Sequence, residues 1–155
     1  MLRRLVLVPM LGLALITLAC SSDGAPRAAG TPSQDLTQTA EAGGITVEAR
    51  WLTEAELTDL DADVSQYPLD AFLLFELKLD THSGDLGDIY LPNAATLRQG
   101  QAEASPEAWV SESDDSHHRS GVLVFPLELQ EGRVELAVNV KNDEMVLAWE
   151  APPTR

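Results

Sequence analysis

The sequence predicts an all-β protein: an antiparallel sandwich of six or seven short strands with one short helical turn. Three observations carry that expectation. Apolar and polar residues alternate with a period of two in several separate stretches. Glycine, proline, asparagine and aspartate punctuate those stretches as turns require. The stretches crowd into the 107 residues from 44 to 150, enough to bury about two-thirds of the chain's surface without a disulfide.

Taken in order, Ile45-Thr46-Val47-Glu48-Ala49-Arg50-Trp51 opens the domain as a half-buried strand, with Ile45, Val47, Ala49 and Trp51 on one face. Thr53-Glu54-Ala55-Glu56 has the form of a capping box and predicts a short helical turn, followed by an acidic loop up to Tyr67-Pro68. Residues 71–80 form the strongest strand, with Leu73, Phe75, Leu77 and Leu79 inward and Glu76, Lys78 and Asp80 facing water. Gly84 and Gly87 break it, and loop runs to Pro92. Weaker strand signals lie at 95–98 and 108–110. Residues 121–129 and 133–140 read as strands joined by a Gln130-Glu131-Gly132 turn, and 145–149 follows a Lys141-Asn142-Asp143 turn. Pro126 lacks the N–H that a ladder needs, which predicts an edge strand or a bulge. In number and spacing these strands resemble the immunoglobulin-like sandwich, without its Cys…Trp…Cys signature. A small open barrel is the alternative fold.

Ahead of the domain the composition changes twice. Arg3 and Arg4 make a basic start, Leu5 to Leu18 is uncharged and apolar, and Ala19 is small. That is a secretory signal covering residues 1–19, too short to cross a bilayer comfortably. Thr17-Leu18-Ala19-Cys20 resembles the lipobox of bacterial lipoproteins, and Cys20 is the chain's single cysteine. An unpaired thiol in an oxidising compartment needs an explanation, and lipidation supplies one. The resemblance implies a diacylglyceryl group on Cys20, with palmitate-type acyl chains as the membrane anchor. It places the protein in the cell envelope, on the extracytoplasmic side of a bacterial membrane, and on the outer membrane if the cell has one. Residues 20–43 are rich in Ser, Ala, Gly, Thr, Pro and Gln, which reads as a disordered tether spanning about 25–30 Å. Residues 151–155 form a C-terminal tail.

Charge narrows the partners. The chain carries 25 acidic and 10 basic side chains. Removing residues 1–19 takes two of the basic ones and leaves a net charge of −17. Nucleic acid is excluded, since it is held by Lys and Arg against phosphate. A basic or cationic partner is compatible with such a surface.

Candidate chemistry concentrates in the histidines, all three of which lie in two segments, Leu79-Asp80-Thr81-His82-Ser83 and Ser116-His117-His118-Arg119. Each segment flanks a strong strand, so an antiparallel sheet can bring them together. One reading is a zinc or copper site built from His82, His117 and His118 with Asp80, Asp85 or Asp115. Neighbouring residues of an extended chain point to opposite faces, which opposes both His117 and His118 reaching one ion. The other reading is a polar clasp, in which Arg119 pairs with an aspartate of the 80–88 loop and the imidazoles bond to backbone, Thr81 or Ser83. Asp59, Asp61 and Asp63, with Asp70 at the twelfth position, have calcium-loop spacing. Val64 stands where such a loop needs glycine, so a solvated acidic loop is the better reading. Trp51, Trp109 and Trp149, one per strand, read as core rather than as an exposed aromatic row. No nucleophile elbow and no catalytic cysteine is present, so the expectation is a non-catalytic binding or accessory module that needs no cofactor.

Overall fold

Gly43 and Gly44 take φ values of 59° and 75°, a region open to glycine without steric cost. Two successive positive φ angles suit a two-residue hairpin whose twist matches its strands. In the structure, a computed structural model that describes residues 35–126 and 132–150, these glycines join β1 (Thr37–Ala42) to β2 (Ile45–Trp51), with Ala42 opposite Ile45. The expected tether through Gly43 is therefore corrected at its end. Residues 37–42 are a strand, held by backbone pairing to β2 and by Ala40 and Ala42 packing on the core. Just before it, the Leu36 carbonyl accepts from the Trp51 N–H at 2.9 Å and from Trp149 Nε1 at 3.0 Å. The signal segment 1–19, Cys20 and the tether to residue 34 lie outside the described residues, as does the tail.

Seven further strands complete two sheets: β3 (Phe72–Thr81), β4 (Ala95–Gln99), β5 (Ala102–Ala104), β6 (Ala108–Asp114), β7 (His118–Pro126), β8 (Val134–Val140) and β9 (Asp143–Trp149). One sheet has the order β1-β2-β3-β7-β6 and the other β5-β4-β8-β9, with every pairing antiparallel. The sheets do not close into a barrel. With β1 set aside, β2-β3-β7-β6 is the A-B-E-D order of an immunoglobulin-like sandwich, and β5-β4-β8-β9 is C′-C-F-G.

Two local expectations fail. β7 and β8 are not a hairpin, because the chain leaves one sheet after Pro126 and enters the other at Val134. Nor is β7 an edge strand. It lies between β3 and β6, and Pro126 is tolerated because it is the last residue of the strand, opposite Phe72. The bulge lies in the neighbour instead, where the β6 register shifts between Ser111 and Ser113.

The core between the sheets is formed by the alternating faces already apparent in the sequence: Ile45, Val47, Ala49 and Trp51 of β2, Leu73 to Leu79 of β3, and Val134 to Val140 of β8. Trp51, Phe75 and Trp149 form an aromatic centre, with Trp51 and Trp149 edge-on at 5.9 Å. The outer face of the five-stranded sheet is buried as well. Ala62 and Val64 from the 52–70 segment pack with Leu74, Val122 and Val124. That cover is pinned by a single 3-10 turn, Glu56–Asp59. The Glu56 carboxylate reaches back to the Thr53 N–H at 2.9 Å, the return half of the predicted capping box. The Thr53 hydroxyl, however, donates to that carboxylate and the Glu56 N–H goes to the Thr53 carbonyl, so no side chain caps the turn.

Glu76, on this outer face, does not face water, contrary to what its strand phase predicts. It is 7% exposed and takes Arg50 at 2.6 Å and Lys78 at 3.3 Å, the pairing that a buried carboxylate requires.

Candidate functional site

Four connections meet at one end of the sandwich: the 43–44 turn, the 82–90 loop, the 115–117 turn and the 141–142 turn. Their proximity is direct. A Cβ on Gly43 would lie 2.9 Å from an Asp143 carboxylate oxygen, and one on Gly84 would lie 3.1 Å from Lys141 Nζ. Thr81 ties two of them together, its hydroxyl donating to the carbonyls of Gly44 at 3.1 Å and Ser83 at 2.8 Å.

The candidate histidines all reach this end and then separate. Asp80 and His118 are cross-strand partners, and His118 Nδ1 lies 2.5 Å from Asp80 Oδ1. The rings of His82 and His117 are exposed and make no hydrogen bond among the described residues. Asp115 caps its own turn, accepting from the N–H groups of His117 at 2.8 Å and His118 at 3.2 Å. Those two backbone donors hold its carboxyl below the usual range. Among the described residues, no group of three or more His, Cys, Asp or Glu side chains is placed to hold a metal ion. In the Asp59–Asp70 stretch, Leu60, Ala62, Val64, Tyr67 and Leu69 pack on the outer face of the sheet, and Asp63 Oδ1 accepts from the Ser65 N–H at 3.1 Å.

Arg119 does make a clasp, with different partners from those expected. Its carboxylate is Asp114, at 3.0 Å, from the preceding strand and not from the 80–88 loop. To that loop it donates through Nη1 to the carbonyls of Leu86 at 3.0 Å and Ile89 at 2.6 Å. The physical reason is register: Arg119 pairs with Leu79 on the inward face. Its side chain is 10% exposed, and its guanidinium is partnered by the two loop carbonyls and by Asp114.

The Asp114 carboxyl is held low by the Ser111 hydroxyl and then by Arg119. A depressed folded pKa gives stability that is present above the unfolded value and lost as pH falls through the folded one. Asp114→Asn should therefore remove part of the stability lost below about pH 4. The amount is roughly a few tenths of a kcal/mol, because the pair is exposed on the carboxylate side. Denaturant midpoints at pH 6 and pH 3 measure it; an undiminished difference between the two in the variant would contradict the assignment.

The clasp shapes a groove. The 85–90 loop is pinned by the fully buried Leu86 side chain, by the Leu86 N–H to the Ser116 carbonyl at 2.8 Å, and by Arg119. Leu91, also fully buried, anchors the far side and begins the single helical turn α1 (Leu91–Ala94), where Pro92 fits the first turn. Between the two anchors Tyr90 is turned outward, 65% exposed. The groove beside it has a volume of about 450 Å³ and is lined by Asp85, Asp88, Tyr90, Asn93, Asn139 and Lys141.

Lys141 has the one positive φ of a residue other than glycine among the described residues, 57°. It occupies the first position of the two-residue β8–β9 turn, where such turns normally use glycine. That conformation costs an L-residue about 1–2 kcal/mol. Its ammonium has no carboxylate within ion-pair distance among the described residues.

No family model, curated protein or solved structure matches the chain. The site therefore rests on its own geometry. Of the groove residues, sequence reasoning singled out Asp85 alone, as a companion of the histidines. Asp88, Tyr90, Asn93, Asn139 and Lys141 were missed. The available signal was an aromatic residue between two aliphatic anchors in a glycine-broken loop, and a lysine where a tight turn favours glycine.

Proposed function

We propose that the chain is a lipid-anchored extracytoplasmic lipoprotein whose immunoglobulin-like sandwich binds a ligand without transforming it. The observation that carries the binding reading is the groove at the loop end, with its walls held by Leu86, Leu91 and Arg119 before any ligand arrives. A preorganised wall avoids the ordering cost that otherwise weakens binding. The anchor reading rests on the sequence: the basic start, the apolar run and Cys20. Two or more acyl chains hold stably where one does not.

Each half has its own test. Intact mass of the mature chain should show an acylated N-terminal Cys20, and Cys20→Ala should leave the membrane fraction or remain unprocessed. An unmodified, soluble wild-type product contradicts the anchor. For binding, the full-length chain is melted with a panel of neutral oligosaccharides, polyamines, amino acids, organic acids and zinc, copper and calcium salts. A ligand at about 100 times Kd adds about 2.7 kcal/mol, which raises Tm by several degrees. At least one compound should do so in wild type and lose the effect in Tyr90→Ala. Stabilisation by metal salts alone, retained in Tyr90→Ala, would contradict the reading.

A further inference from the structure

The groove contains complementary groups of both signs in a small space. Asp85 and Asp88 offer acceptors only, Lys141 offers donors only, and the carboxamides of Asn93 and Asn139 offer both. Asp85 already spends one oxygen on the Gly87 N–H at 2.7 Å, which fixes its direction and leaves lone pairs to spare. An anionic ligand would meet the two carboxylates. A cationic one would meet the Lys141 ammonium, held beside the loop where Gly84 leaves room for it. The ligand that satisfies the whole set has no net charge and many groups that both donate and accept.

Tyr90 adds the second requirement. Its ring stands 65% exposed beside these polar groups, between anchors that prevent its collapse into the core. An aromatic face next to convergent polar groups suits a ligand with an apolar face and a polar rim. Pyranose rings have that form, with axial C–H groups on one face and hydroxyls around the edge. The strained turn at Lys141 is an independent sign of function. Positive φ at a residue other than glycine costs stability, and such strain gathers at ligand clamps. The strained residue is itself one of those that line the groove.

We propose that this groove is a carbohydrate subsite. A neutral sugar would stack on Tyr90, with its hydroxyls divided among Asp85, Asp88, Asn93, Asn139 and Lys141. The proposal rests on the binding-module reading and names its ligand class.

The test uses the full-length chain in phosphatidylcholine nanodiscs, free of glycosidic detergent. Isothermal titration is run with maltotriose, cellotriose and N-acetylchitotriose, and in parallel with spermidine and citrate. The expected result is saturable binding of at least one neutral trisaccharide. It should weaken about tenfold or more in Tyr90→Ala and in Asn139→Ala, and change little in Tyr90→Phe. Both alanine positions are exposed, so an unchanged melting temperature without ligand confirms that the variants are folded. Binding of spermidine or citrate with no trisaccharide bound overturns the carbohydrate assignment and leaves the binding module standing. Trisaccharide binding unaffected by either alanine variant also overturns the subsite. No binding of any of the five, together with a flat melting panel, overturns both readings.

Discussion

Leu136→Asp is expected to abolish cooperative folding of the sandwich. Leu136 is fully buried at the centre of the four-stranded sheet, opposite Leu97 on β4 and Leu147 on β9, both of which are buried too. A carboxylate there has no cation or donor to meet, because its neighbours are aliphatic. It must stay charged and desolvated or take up a proton at a cost. The penalty is on the order of 4–5 kcal/mol or more, comparable with the whole stability of a domain this size. Leu136→Ala separates the two parts of the effect, since it removes packing alone and should cost about 2–5 kcal/mol. Urea titration of both variants decides the matter. A midpoint for Leu136→Asp equal to that of wild type would mean that the strand faces the other way.

Gly121→Ala should be clearly destabilising for so small a change. A Cβ there would stand 2.4 Å from the Val110 carbonyl oxygen and 2.7 Å and 2.9 Å from two carbons of the Trp109 indole. The indole can rotate away, but the carbonyl belongs to β6, which is hydrogen-bonded to β7 on both sides of the contact. Moving it disturbs the bulge at Ser111 to Ser113, where Glu112 Oε1 holds the Ala62 N–H at 3.1 Å and so links the outer cover to the sheet. Overpacking of this kind costs about 1–3 kcal/mol, against a backbone-entropy gain of about 0.4–1 kcal/mol. The expected fall in Tm is on the order of 10 °C. Trp109→Ala added to Gly121→Ala should not restore it, because the backbone clash remains. A variant as stable as wild type would show that β6 and β7 do not approach so closely.

What could be read locally in the sequence was read correctly where large aliphatic residues alternate. β2 and β3 present the predicted faces because Ile, Leu, Val and Trp leave no doubt about which side is apolar. β1 was read as tether because its inward residues are Ala40 and Ala42. Small side chains carry little periodic signal, and its order comes from pairing with β2 and from the Leu36 carbonyl. Gly43-Gly44 could have corrected this, since two glycines before an alternating run are a hairpin signal. The β7–β8 link was misjudged because a short polar connection looks the same whether the next strand pairs beside the last or joins the facing sheet. The sequence places Glu76 in water because the pairing with Arg50 and Lys78 on the outer face, which goes with its burial, arises only when β2 and β3 lie side by side.

The site shows the same division. Strand register brought Asp80 to His118 and placed Arg119 near the 86–89 loop, and both juxtapositions were foreshadowed by the clustering of His82, His117 and His118. Arg119 takes its carboxylate from Asp114, its cross-strand partner on β6, and meets the 86–89 loop through main-chain carbonyls instead of an aspartate of that loop. The groove joins residues 85–93 to 139–141, and nothing in either stretch alone indicates the other.

The central claim is that ligand is bound at the Tyr90 groove, and amide chemical-shift mapping tests it most directly. The full-length chain in nanodiscs would be titrated with whichever compound of the melting panel raises Tm most. The account predicts that the perturbations centre on the amides of Asp85, Asp88, Tyr90, Asn93, Asn139 and Lys141, with Leu136 and the outer-face pair Asp80 and His118 unmoved. Perturbations centred on His82, His117 or the β6 edge, with the groove silent, would contradict it.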